Sequence, residues 1–166
     1  MRALVETIVI GLGNPVLSDD AVGLRVVRCL AWRLRGVDGI EVRELYSGGI
    51  RLMEALVGFE RAVIVDAIVT QGGRPGTVYS PAVGDLFETR NTHSTHDANL
   101  AVALAFGRLA GLRLPTEIRI WAVEALDVTS FSERLTVHVE RAVPVVLDDV
   151  VRFLGVAAGA CNGAST

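Results

Sequence analysis

Thr7-Ile-Val-Ile-Gly11 leads directly into Gly11-Leu-Gly-Asn-Pro-Val-Leu-Ser-Asp-Asp-Ala-Val-Gly23. A short apolar run that ends in glycine reads as a strand buried on both faces. Beyond the loop, Val22, Val26, Val27, Leu30, Ala31 and Leu34 recur at three- and four-residue steps, which predicts an amphipathic helix over residues 21–35. The loop begins like a phosphate-binding turn and then departs from it. Val16 stands where a dinucleotide-binding turn wants a third glycine, and the adjacent acids Asp19 and Asp20 would repel pyrophosphate. Nucleotide binding is therefore disfavoured.

The strand–helix alternation continues outward from this unit. Residues 40–46 read as a strand, Gly48-Gly49 as a turn, residues 50–57 as a short helix, and Ala62-Val-Ile-Val-Asp66 as a second fully apolar strand closed by an acid. Residues 77–80 suggest an edge strand, 81–95 a long irregular loop, 96–110 a helix with Leu100, Leu104 and Leu109 inward, 117–123 a last strand and 137–154 a last helix. Pro144 is expected to bend or restart that helix. Such alternation implies a parallel sheet with right-handed crossovers. The length of 166 residues fits one α/β domain over 1–154, followed by a Gly- and Ala-rich flexible tail over 155–166.

Composition narrows the function classes. Hydrophobic residues make up 51% of the chain and charged residues 21%, enough for a sizeable core. A net charge of −3 lacks the basic excess that a nucleic-acid surface requires. No apolar run approaches the roughly 20 residues of a membrane span, and Glu6 interrupts any signal-peptide core, so a cytoplasmic protein is expected. Cys29 and Cys161 form no redox or metal motif, and Cys29 reads as a small packed hydrophobe.

In an open parallel sheet, ligands bind beyond the carboxyl ends of the strands, at the switch in strand order. The polar residues expected there are Asp19 and Asp20 after the first strand, Asp66 ending the second apolar run, and His93 and His96 leading into a helix. An acid that ends a buried strand faces several kcal/mol of desolvation unless it is hydrogen-bonded, paired or bound to a cation. Asp66 could cap a turn by accepting backbone amides, but in company with other acids a cation is the better reading. One aspartate suffices to cap the helix that opens at residue 21, so Asp19 is assigned the cap and Asp20 the cleft. A histidine in the first turn of a helix is held neutral by the dipole and can offer its lone pair, which favours His96, with His93 in reserve. His138 is expected at the surface. An Asp/Asp/His set leaves coordination positions open, and its ligand chemistry suits nickel, zinc, iron or copper without choosing among them.

The order and spacing of Gly11-Leu-Gly-Asn-Pro-Val-Leu-Ser-Asp-Asp-Ala-Val-Gly23, Ile64-Val-Asp-Ala67 and Ser94-Thr-His-Asp97 resemble the maturation endopeptidases of nickel-iron hydrogenases, from about Val9 to Leu154. The resemblance implies a Rossmann-like three-layer sandwich: a mostly parallel twisted sheet with helices on both faces. It implies a nickel-dependent endopeptidase that removes the C-terminal extension of a hydrogenase large-subunit precursor after nickel insertion. It also implies that Asp20, Asp66 and His96 form the metal-binding and catalytic trio, that the precursor supplies the nickel, and that the precursor is the partner of a monomeric enzyme. Ala21 departs from the glycine that often follows the acid pair in that family, and the Thr-His-Asp around His96 looks like one branch of it.

Two other readings compete with it. A non-hydrolytic metal-binding scaffold for hydrogenase assembly could use the same three ligands. Peptidyl-tRNA hydrolases share the Gly-Leu-Gly-Asn-Pro start, but the chain has Val16 in place of their glycine, lacks the expected Asn after a His, and is acidic where tRNA needs a basic face.

Overall fold

The computed structural model describes residues 6–80 and 98–156. In chain order the elements are β1 (Thr7–Leu12), a 3-10 turn (Ser18–Ala21), α1 (Val22–Arg33), β2 (Ile40–Leu45), α2 (Ile50–Leu56), β3 (Arg61–Ile68), β4 (Val78–Tyr79), α3 (Ala98–Leu109), β5 (Glu117–Glu124) and α4 (Val137–Leu154). The strands form one sheet in the order β2-β1-β3-β5-β4. β1 pairs in parallel with β2 and β3, β3 with β5, and only the two-residue edge strand β4 runs antiparallel.

Strand alternation sorts the side chains into two cores. Val9, Val63, Val65, Trp121 and Val123 face α1 and α4, where Val26, Leu30, Val139, Val146 and Val150 meet them. Ile8, Ile10, Ile64 and Ile120 face the opposite way, onto Leu52 and Leu56 of α2 and Leu100 and Leu104 of α3. The result is the expected Rossmann-like sandwich of three layers. Each fully buried Leu or Ile contributes about 1.5–3 kcal/mol relative to exposure, so the two cores dominate stability. Cys29 is half-buried against the first of them. No described helix is long and apolar enough to cross a membrane.

Three expectations need correction. Leu109 is not inward but 89% exposed. At 100° per residue it is turned well away from Leu104, and the inward position of that turn is Gly107, where a Cβ would come within 3.0 Å of Met53 Sδ. Pro144 does not interrupt α4, which runs unbroken to a left-handed Gly155 with φ 69°. The proline is exposed, so the bond it cannot make falls on the solvent side, where water can take the Glu140 carbonyl. β3 does not end at Asp66 either: Ala67 pairs with Val123 and Ile68 with Glu124, which carries both strands further. The expected loop at 81–95 and most of the tail lie outside the described residues.

Candidate active site

The chain leaves β1 to build β2 on one side, then crosses back to build β3 on the other, so the switch in strand order falls between β1 and β3. On that boundary Gly11 with Val65 is the last pair in the register. Asp66 is the next residue on β3, at the point where β1 gives way to its loop. By alternation from Ile64 it stands on the face covered by α2 and α3.

Glycines allow the loop after β1 to return to this point. Gly13 has φ 149°, and a Cβ there would lie 1.9 Å from the Asp20 carbonyl oxygen. At Gly23 a Cβ would lie 2.3 Å from the carbonyl oxygens of both Leu12 and Val65, so the first turn of α1 rests on the ends of β1 and β3. Asn14 organises the turn between them. Its side-chain Oδ1 accepts the Val16 amide at 3.2 Å, and its own amide donates to Asp20 Oδ2 at 2.8 Å. Asp20 is thereby oriented at the end of β1, half-buried.

The two adjacent acids have different tasks. Asp19 is fully buried, but it does not cap the helix that follows it. Its carboxylate accepts hydrogen bonds from the amides of Leu126 (2.9 Å), Asp127 (3.0 Å) and Thr136 (2.7 Å) and from the Thr136 hydroxyl (2.9 Å). Thr136 is the residue from which α4 starts. The expected cap is thus replaced by a clamp between the β1 loop and the β5–α4 loop. The same two loops are also joined through their backbones: Ser18 donates to Ser130 O, Asp19 to Asp127 O and Ser132 to Val16 O.

Asp66 is 1% exposed, and its Oδ1 accepts the Ala67 amide at 2.8 Å. His93 and His96 lie outside the described residues, as does any geometry they would give the trio. The structure therefore places two of the three predicted site residues, Asp20 and Asp66, on either side of the switch point. α3, first described at Ala98, packs on the face that carries Asp66. Among the described residues, no three His, Cys, Asp or Glu side chains are grouped to hold a metal. His138 is exposed, as expected.

One buried acid was missed. Glu124, 1% exposed, lies two residues beyond the Asp66 partner Ala122 on β5 and so on the same face. Its Oε1 accepts the Thr70 amide at 2.7 Å and its Oε2 the Thr70 hydroxyl at 2.8 Å. The loop closes so tightly around it that a Cβ on Gly73 would lie 2.2 Å from the carboxyl carbon. The sequence carried the signal, since Ile120-Trp-Ala-Val-Glu124 repeats the pattern of an apolar run ended by an acid that singled out Asp66.

Two acids near this end of the sheet have lowered pKa values. Asp127, on the loop clamped by Asp19, is lowered to about 2 by hydrogen bonds from Ser130 and Thr129. Glu44, on β2, is also lowered, chiefly by its hydrogen bond from Arg28. On the Asp66 face a cavity of about 580 Å³ opens between the Gly48-Gly49 turn and α3, floored by Ala103 and walled by Ile50, Val102 and Phe106.

Known proteins are similar to this chain in sequence and fold. The model of the HycI hydrogenase maturation protease family matches residues 24–153. The hydrogenase 2 maturation protease of Escherichia coli K12 is 33% identical over 110 residues, spanning 64% of this chain and 66% of that protein, just under two thirds of its length. The hydrogenase-maturating endopeptidase HybD of Escherichia coli superposes with a TM-score of 0.78 at 28% identity, over 90% of this chain and 92% of its own. HybD of Thermococcus kodakarensis shares the fold at a TM-score of 0.70 and 24% identity, over 89% of this chain and 98% of its own. The chain thus belongs to the hydrogenase maturation protease family, a family of endopeptidases, and it carries Asp20 and Asp66 at the switch point of that fold.

Proposed function

We propose that this protein removes the C-terminal extension of a nickel-iron hydrogenase large-subunit precursor once nickel has been inserted, using Asp20, Asp66 and His96. The reading is supported by two acids that flank the β1/β3 switch of a maturation-protease fold: Asp20, oriented by the Asn14 amide, and Asp66, oriented by the Ala67 amide. A pair of carboxylate donors suits a divalent cation, and an imidazole from His96 would complete a set compatible with nickel. The nickel belongs to the substrate: when bound, it would mark the precursor as loaded and could polarise the scissile carbonyl. The chain's own residues bind and orient, and one of the two aspartates serves as general base toward water. The cavity beside α3 offers room for an extended polypeptide on the face of Asp66. We place the enzyme in the cytoplasm as a monomer that meets its client transiently.

The test incubates the purified chain with precursor, with and without nickel, and follows the precursor by mass spectrometry. Loss of a C-terminal peptide only in the nickel-loaded precursor is the expected result. Binding without shortening would instead establish the scaffold reading. His96→Ala should abolish cleavage while leaving the circular dichroism spectrum unchanged, and an active, folded His96→Ala enzyme would remove His96 from the trio.

A further inference from the structure

We infer that the hollow between the β3–β4 turn and the first two turns of α4 is an oxyanion site, with Arg74, His138 and Arg141 as its donors and a phosphate group as its ligand. It lies on the face of the sheet opposite Asp66 and is separate from the candidate active site.

The hollow, of about 310 Å³, is built from two elements. His138, Arg141, Ala142 and Val145 stand at three- and four-residue spacings and so form one stripe of α4. Arg74, Gly76 and Thr77 meet that stripe from the turn that links β3 to β4. The turn is fixed from inside the protein. Buried Glu124 accepts the Thr70 amide and hydroxyl, the Gly76 amide donates to Glu124 O at 2.8 Å, and the Thr77 amide donates to Arg74 O at 3.1 Å. Gly76, at φ 83°, brings the turn so close to α4 that a Cβ there would lie 2.5 Å from the His138 carbonyl oxygen. The approach of Arg74 to the helix is thus set by the backbone.

Charge shows what the hollow takes. No acid lines it. Each acid of α4 is engaged by an arginine: Glu140 lies 3.8 Å from Arg25, Asp148 3.1 Å from Arg33 and Asp149 3.0 Å from Arg152. Arg74, His138 and Arg141 have no such partner among the described residues. The chain carries 19 acids against 16 Lys and Arg, so counter-charges are in surplus, yet none is placed here. Two guanidinium groups that line one concavity repel each other until an anion neutralises them. Guanidinium forks pair with phosphate oxygens two at a time, and the imidazole adds an N–H donor, which together match the several acceptors of a phosphate group. The cavity is near the lower end of the size range of small-ligand sites, and Ala142 and Val145 on its apolar side leave room for the organic part of a phosphate ester.

The experiment titrates the isotope-labelled full chain with inorganic phosphate and, separately, with β-glycerophosphate, at an ionic strength held constant with sodium chloride, and follows the amide resonances. Saturable shifts centred on Gly76, Thr77, His138 and Arg141 are expected, with a Kd below about 1 mM for at least one probe. Tighter binding of the ester supports a phosphate-bearing small molecule as the ligand, and tighter binding of the inorganic ion supports free phosphate. An Arg74→Gln/Arg141→Gln double variant should bind about 10-fold or more weakly through the loss of charge-assisted contacts, with its thermal midpoint unchanged because both arginines are exposed. Arg108→Gln, at an exposed arginine in the last turn of α3, should leave the Kd as it is. Shifts that do not saturate by about 10 mM of either probe overturn the inference, as does a double-variant Kd within about twofold of the parent or an equal weakening in Arg108→Gln. Neither nickel nor precursor enters the measurement, so an empty hollow leaves the proposed cleavage standing, and a chain that cleaves nothing leaves the oxyanion site standing.

Discussion

The two ends of the sheet handle their acids differently. At the amino end, carboxylates are matched with guanidinium groups: Glu117 Oε2 lies 3.4 Å from Arg61 Nε, its Oε1 lies 3.6 Å from Arg119 Nε, and Glu60 Oε1 lies 2.9 Å from Arg113 Nη2. Arg61 and Arg119 also lie over the Phe153 ring, at 5.0 and 5.6 Å from its centroid. At the carboxyl end, Asp19 and Glu124 accept from neutral amides and hydroxyls, and Asp20 and Asp66 each accept a neutral backbone amide. Neutral donors fix a carboxylate's direction without cancelling a charge. The first arrangement covers a surface, and the second is the kind of edge that the proposed cation binding calls for.

The sharpest test of this contrast is Asp19→Ala. It would leave the amides of Leu126, Asp127 and Thr136 buried without their acceptor, each costing about 1–3 kcal/mol if unmet. Partial relaxation brings the expected loss of unfolding free energy to about 3–5 kcal/mol, measurable by urea denaturation. A loss below about 1 kcal/mol would show that the clamp is incidental.

Asp20→Asn should act in the opposite sense: stability nearly unchanged, since the Asn14 amide can still donate to a side-chain oxygen, and precursor cleavage reduced about 100-fold or more. Comparing thermal midpoints and kcat/KM of the two variants separates the clamp from the chemistry. If Asp20→Asn unfolds the protein while Asp19→Ala only slows it, the roles are reversed.

At the amino end, Glu117→Gln is expected to change stability by less than about 1 kcal/mol, because its pairs are half-exposed and screened, and to leave kcat/KM unaltered. An activity loss from this variant would erase the distinction between the two ends.

The sequence made the opening unit and β3 legible, because both are short-range patterns: an apolar run, then glycines, then a three- and four-residue period. Asp20 and Asp66 could be placed for the same reason, since topology alone sends strand ends to the switch point. The task of Asp19 could not be read, because its donors come from residues more than a hundred positions later. Glu124 bore a readable signature, but the strand was expected to stop at Val123, and only pairing with Ile68 extends it. Leu109 failed for a simpler reason: five residues from Leu104 is not a helical repeat, and the site that completes the stripe holds Gly107, which a search for large apolar residues passes over.

The mildest test of the comparison is a titration at the carboxyl edge. Asp127 is half-buried, and hydrogen bonds from Ser130 and Thr129 favour its ionised form and lower it from 3.8 to about 2. Because the folded value lies below the unfolded one, the carboxylate's contribution to stability is complete above about pH 4 and is lost as pH falls toward 2. Many acids titrate in that window, so the test has to read this group alone, through the carboxyl carbon resonance of Asp127 in the labelled protein. A midpoint near 2 is expected, and Ser130→Ala should move it upward by removing the first of its donors. A midpoint at or above the ordinary aspartate value would mean that the Thr129 and Ser130 amides do not hold the turn in solution. The loop pair would then lose the rigidity that sets this end of the sheet apart from the ion-paired one.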